Sequence, residues 1–269
     1  MARQALVVAL LGACAIPHES GEAVVLAASP IARLHGHNDY LQPVPLRRAL
    51  ALGLGSVEAD VFLVDGELLV GHERWQLRRG RTLRAMYLEP LRAFVAANGG
   101  RVRADGAPFV LLVDIKADGA AVYRALRAEL AAYAPMLTRF AGDAIVPGAV
   151  TVLLSGDRPW ELVAAEAERF VALDGRLRDL DRVPPPPPSL VPWISDAWSK
   201  VSDWNGADDW LPEEAARLQA LVTQTPRAGS RTAVLGRARS RRGMGGAAGR
   251  RRRPRRHRSA GGGGGVRAA

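Results

Sequence analysis

The chain has 269 residues and a formal charge of +10, but the charge is unevenly spread. All 27 acidic residues and 23 of the 37 basic ones lie in residues 1–225, so the body is mildly acidic and the cationic excess belongs to the last 44 residues. This argues against a nucleic-acid-binding body, and the single cysteine, Cys14, excludes an intrachain disulfide or a thiolate-rich metal site.

A short basic start, Met-Ala-Arg-Gln, precedes an apolar run over residues 5–13. That run has the length of a signal h-region and is too short to span a bilayer as a mature helix. Residues 1–15 are therefore expected to be an export signal. Leu11-Gly12-Ala13-Cys14 matches a bacterial lipoprotein box, which would tether the protein to the cell envelope through lipidated Cys14, and Ala13-Cys14-Ala15 fits ordinary secretion. A buried first helix is the competing reading.

From there strands and helices alternate. Strands are expected over 31–35, 56–63, 109–115, 150–155, 170–173 and 191–195, with helices over 46–54, 82–98, 120–132, 159–168 and 213–223. Asp65-Gly66 turns the second strand into a short arm, 68–70, that delivers His72. Residues 109–115 are almost continuously apolar, as in a strand covered on both faces. Prolines 184–188 form a stiff loop. Such alternation predicts a parallel α/β fold.

The chemistry concentrates between His35 and His72. Alternate side chains of a strand share a face, so Glu58 and Asp60 converge on one side while Val57, Ala59 and Val61 form the other. His35 and His37 repeat the spacing. Two carboxylates with Asp114 at another strand end make an oxygen-only set suited to a hard cation, Mg²⁺ or Ca²⁺. Each residue also has a structural reading: His37 as a hydrogen-bonding group, Asn38 and Asp39 as turn formers, Lys116 as an ion-pair partner, Glu58 and Asp60 as a solvated strand face. Trp193, Trp198 and Trp204 read first as packing.

His-Gly-His-Asn-Asp-Tyr at 35–40, Ser-Val-Glu-Ala-Asp-Val-Phe at 56–62 and Asp-Gly-Glu-Leu-Leu-Val-Gly-His at 65–72 together resemble the phospholipase-C-like phosphodiesterase superfamily. That group includes glycerophosphodiester phosphodiesterases and spider-venom phospholipase D enzymes; the nearest likeness is to its bacterial and fungal branch related to altered-inheritance-of-mitochondria proteins. The resemblance covers 31–225 and implies a TIM-type barrel with its site at the carboxyl ends of the strands. It further implies Glu58, Asp60 and Asp114 as metal ligands, His35 and His72 as the acid/base pair, and Lys116 as a phosphate-binding group, with His37, Asn38 and Asp39 shaping the substrate site. The implied activity is hydrolysis of a small, lipid-derived phosphodiester, by water or by a hydroxyl within the substrate. The His-Arg-Gly and Glu-Asn-Thr segments of glycerophosphodiesterases are absent, which removes support for a glycerol head group, and Glu73 stands where many relatives carry Asp. An inactive, ligand-binding member of the superfamily is the alternative.

Only six strand–helix units precede Pro226, where a barrel needs eight. Residues 226–269 carry 14 Arg and no acidic residue, with few large apolar side chains. The expectation is an incomplete barrel followed by a disordered basic tail, of the composition that a lost reading frame near 224–227 produces in GC-rich coding DNA. A cationic nucleic-acid arm is the other reading of that tail; no specific nucleic-acid partner is expected.

Overall fold

The computed structural model describes residues 33–202, 204, 211–224 and 231–235. The strands are β1 (His35–Gly36), β2 (Ser56–Val64), β3 (Glu67–Val70), β4 (Phe109–Ile115), β5 (Arg139–Ala141), β6 (Ala144–Val146), β7 (Val150–Gly156), β8 (Glu168–Arg169), β9 (Val171–Gly175), β10 (Trp193–Ala197) and β11 (Arg231–Leu235). The α-helices are α1 (Arg47–Leu52), α2 (Glu89–Ala97), α3 (Gly119–Leu130), α4 (Trp160–Ala165) and α5 (Pro212–Gln224). A π-helical turn, Arg84–Leu88, leads into α2.

The main sheet runs β1-β2-β4-β7-β9-β10-β11, all neighbours parallel, with β3 folded back antiparallel on β2. It curls into a half-barrel of mixed α/β type, and the six expected strands are its first six parallel members. The parallel order follows from the helical crossovers, which return the chain to the same end of the sheet each time.

Two differences from the sequence reading stand out. A small sheet, β6-β5-β8, was not expected; its strands have only two or three residues, too short for alternation to register. Strand β11 falls inside 226–269, the stretch expected to be disordered, and pairs along its full length with β10 from Trp193↔Arg231 to Ala197↔Leu235. The open edge of β10 offers a row of backbone donors and acceptors, and Thr-Ala-Val-Leu at 232–235 is the most strand-like sequence in the Arg- and Gly-rich stretch. The expectation of disorder is corrected at these five residues; the rest of 226–269 lies outside the described residues.

The sheet separates two apolar layers. Odd-numbered residues of β2 and β4, among them Val57, Ala59, Val61, Leu111 and Val113, pack outward against Leu91 of α2 and Val122, Leu126 and Leu130 of α3. Burying each such side chain contributes roughly 1.5–3 kcal/mol. Inside the curl a much smaller cluster of Leu112, Phe140, Leu153 and Ala172 fills the floor. Above it the same faces turn polar, and the site begins there. Close approach of the backbones at this level requires glycine: at Gly156, with φ +67°, a Cβ would lie 2.3 Å from the Ile115 carbonyl oxygen.

Candidate active site

Register places the charged groups in one row. Asp60 lies beside Asp114, and Asp114 beside Ser155, so neighbouring parallel strands present these side chains to the same face at the carboxyl end of the sheet. Glu58, Asp60 and Asp114 each offer an oxygen within 4.8 Å of the others. Glu58 and Asp60 are buried, and Asp114 is partly so.

Asp60 organises the site. Its Oδ2 accepts from the Tyr40 hydroxyl at 2.6 Å, lies 2.7 Å from His72 Nδ1 and 3.0 Å from Lys116 Nζ. Its Oδ1 is buried without a hydrogen-bond partner. Burying a carboxylate oxygen with no donor is costly, and here the orphaned atom belongs to a cluster of three carboxylates. An oxygen-only set with a buried, unfilled acceptor fits a hard divalent cation. Lys116 Nζ also sits 3.1 Å from Asp114 Oδ1. Burial by itself would lower the Lys116 ammonium, but Asp114 and Asp60 outweigh it and hold it above its ordinary value. Asp114 is raised by burial, which Lys116 offsets only in part.

The histidines surround this trio. The β2–β3 hairpin carries the chain up and back, and the Gly71 amide bonds to the Asp60 carbonyl at 3.1 Å, which sets His72 beside Asp60. With its Nδ1 on a carboxylate, His72 is held as the Nδ1–H tautomer when neutral, and its Nε2 is the free nitrogen; the side chain is half exposed. His35 is buried, with Nδ1 2.9 Å from Ser56 Oγ and the Trp193 ring edge-on to the imidazole at 6.1 Å. Its Nε2 is unpartnered and 3.9 Å from Glu58 Oε2. His37, half exposed, reaches the same oxygen at 3.4 Å. Burial would raise the Glu58 carboxyl, yet the neighbouring His35 and His37 imidazoles, with the Asn38 amide, hold it below its ordinary value.

The turn after β1 divides its expected substrate-binding residues. Asn38, at φ 49°, donates its amide to Glu58 Oε2 at 3.2 Å and accepts from the Tyr40 hydroxyl on its side chain. Asp39 faces the opposite way. Its buried carboxylate accepts from the Leu46 amide at 2.6 Å and the Tyr87 hydroxyl at 3.0 Å, holding Leu46 at the unfavourable φ of 59°. Asp39 braces the turn from below, and burial raises its carboxyl above the ordinary value.

Several partners escaped the sequence reading. Ser56 shares the parity of Glu58 and Asp60, a signal that was available. Tyr40 closes the His-x-His-Asn-Asp-Tyr run and holds Asp60. On the far side, buried Asp174 at the end of β9 accepts from Ser155 Oγ at 2.9 Å and Ser195 Oγ at 2.7 Å and is ion-paired with Arg176. Arg176 also donates to both serines, at 2.7 and 3.0 Å. The charge of Asp174 raises the guanidinium against the lowering effect of burial.

A curled parallel sheet with ionisable groups gathered at its carboxyl ends is the arrangement of a partial (β/α) barrel. Residues 24–174 match the model of the AIM6-like phosphodiesterase domain, and the chain belongs to that family. Among similar proteins, an altered inheritance of mitochondria protein 6 homolog from Arthroderma benhamiae is 34% identical over 55% of this chain and 54% of its own length. The protein of the same name from Eremothecium gossypii is 32% identical over 62% and 48%, and that from Saccharomyces cerevisiae 27% over 70% and 55%. The chain thus spans about half the length of the curated relatives it matches. No solved structure matches.

These relatives overturn the expectation of a bacterial exported lipoprotein. They are fungal proteins named for inheritance of mitochondria, whereas that expectation rested on an apolar run followed by one cysteine. Cys14 and the whole of 1–32 lie outside the described residues.

Proposed function

We propose that the protein is a divalent-cation-dependent phosphodiesterase using His35 and His72 as its acid/base pair, acting on a lipid-derived phosphodiester. The observation that carries this reading is the unpartnered Oδ1 of Asp60 within the Glu58–Asp60–Asp114 trio, flanked by two histidines and Lys116. Membership of a phosphodiesterase-domain family supports the reaction class.

Cleavage of a phosphodiester needs a proton removed from the attacking oxygen and one delivered to the leaving oxygen. His72, oriented by Asp60, exchanges protons through Nε2; His35, oriented by Ser56, does so through Nε2 on the Glu58 side. Lys116 offsets charge on the non-bridging oxygens. Glu58, Asp60 and Asp114 would hold Mg²⁺ or Ca²⁺, which supplies Lewis-acid stabilisation of that same charge when bound. Tyr40 keeps Asp60 in place, and Trp193 limits water around His35.

The test is hydrolysis of bis-(p-nitrophenyl) phosphate with Mg²⁺, Ca²⁺ or EDTA, beside His72→Ala. Cation-dependent turnover lost in the variant is the expected result. Turnover that survives both EDTA and the substitution would overturn the assignment.

A further inference from the structure

Between β3 and the helical turn at Arg84 the chain forms a closed loop over residues 71–82. Its ends are pinned by an antiparallel bridge between Leu69 and Thr82 and by the Val70 amide on the Arg81 carbonyl at 2.8 Å. His72 is its second residue. Three positions on, Trp75 is 73% exposed, and Leu41, on the neighbouring turn, is 58% exposed. The two segments are tied together by Arg81, which donates to the Tyr40 carbonyl at 2.8 Å.

The same loop carries Arg74, Arg78, Arg79 and Arg81, all exposed, against one carboxylate, Glu73. Among the described residues none of the four forms an ion pair. Arg78 is spent on the carbonyls of Trp75 and Leu77, and Arg74 lies over the Phe62 ring at 5.1 Å. A loop closed at its ends, with an exposed indole among guanidiniums that have no acidic partner, matches the chemistry of a bilayer interface: indole favours the headgroup level, and arginines are drawn to anionic lipid. Among the described residues no helix is long and apolar enough to cross a membrane.

We propose that the 71–82 loop, with Leu41, docks the protein on an anionic phospholipid surface and so brings the mouth beside His72 against the lipid headgroups. Docking stands on the loop's exposure and charge. Only its use, to draw substrate from the bilayer, rests on the phosphodiesterase reading.

Sedimentation of the full chain with phosphatidylcholine vesicles, with and without phosphatidylserine, tests this. Trp75→Ala and Arg78→Glu/Arg79→Glu are compared with the unaltered chain. The Arg-rich 226–269 is common to all three, so differences report the loop. Expected are binding that requires phosphatidylserine, about tenfold weaker in Trp75→Ala and at least about thirtyfold weaker in the double variant. The thermal shift given by Mg²⁺ or Ca²⁺ should be equal in all three, showing an intact site. Vesicle binding indifferent to both variants would overturn the proposal, as would loss in the arginine variant alone together with equal loss of DNA binding. Neither result depends on turnover, so failure of docking and failure of the catalytic reading are read separately.

Discussion

Two buried aspartates occupy the same level of the half-barrel and differ in one respect. Asp174 has both oxygens taken, by Ser155, Ser195 and Arg176. Asp60 has three groups on Oδ2 and none on Oδ1. A saturated buried carboxylate is complete as it stands and serves the fold; a buried acceptor without a donor is the feature on which the proposed cation site rests. The mouth thus has a proposed reactive side, β1 to β4, and a closed side, β7 to β10.

The sharpest test exchanges each aspartate for asparagine. Asp60→Asn should lower phosphodiester turnover by at least about a thousandfold, since it disturbs His72, Lys116 and the carboxylate trio together, while the unfolding midpoint in urea stays close to that of the parent. Asp174→Asn should do the reverse: it leaves Arg176 without its counter-ion and costs about 3 kcal/mol of stability, with activity of the folded protein retained. If both variants lost activity and neither lost stability, the division would be wrong.

Cation binding probes the same contrast without substitution at His35 or His72. At a hundredfold excess over its Kd, Mg²⁺ or Ca²⁺ should stabilise the protein by about 2.7 kcal/mol. Scanning calorimetry should find this gain absent in Asp60→Asn and intact at saturating cation in Asp174→Asn. A smaller effect is expected of Tyr40→Phe, which removes one donor from Asp60: about a tenfold fall in kcat/KM, measurable by steady-state kinetics, with the cation-induced gain preserved.

The smallest effect concerns Asp39, the buried carboxylate that faces away from the mouth. Its folded value is raised by burial. Below the ordinary aspartate value it is protonated in both states. As pH rises from there towards the raised value, the unfolded chain ionises first and stability falls. Urea midpoints followed across this window should show a slope that Asp39→Asn removes; an unchanged slope would assign it to another group.

Much of the geometry of the β1 to β4 side was legible because strand parity is local: Glu58 and Asp60 had to share a face, and the hairpin at Asp65-Gly66 had to bring His72 back beside them. Asp114-Ile115-Lys116 ended an apolar strand and read as a site. Asp174-Gly175-Arg176 ends another with the same acid-x-base pattern, yet its role depends on Ser155 and Ser195 from two other strands. The inward turn of Asp39 was hidden for a like reason, since it is fixed by Leu46 and Tyr87. Strand β11 answers to the free edge of β10, a property of the sheet that no window of its own sequence contains.

Lys116 spans Asp60 and Asp114, and this has a kinetic meaning. A tethered ammonium already screens the two carboxylates from each other, so the carboxylate pocket is assembled before any ion arrives. Cation binding there, as proposed, would exchange a captive charge for a diffusible one, without the coupled ordering seen in small metal-folded domains. Chelation should therefore silence the protein reversibly and at once, leaving its near-ultraviolet circular dichroism unmoved.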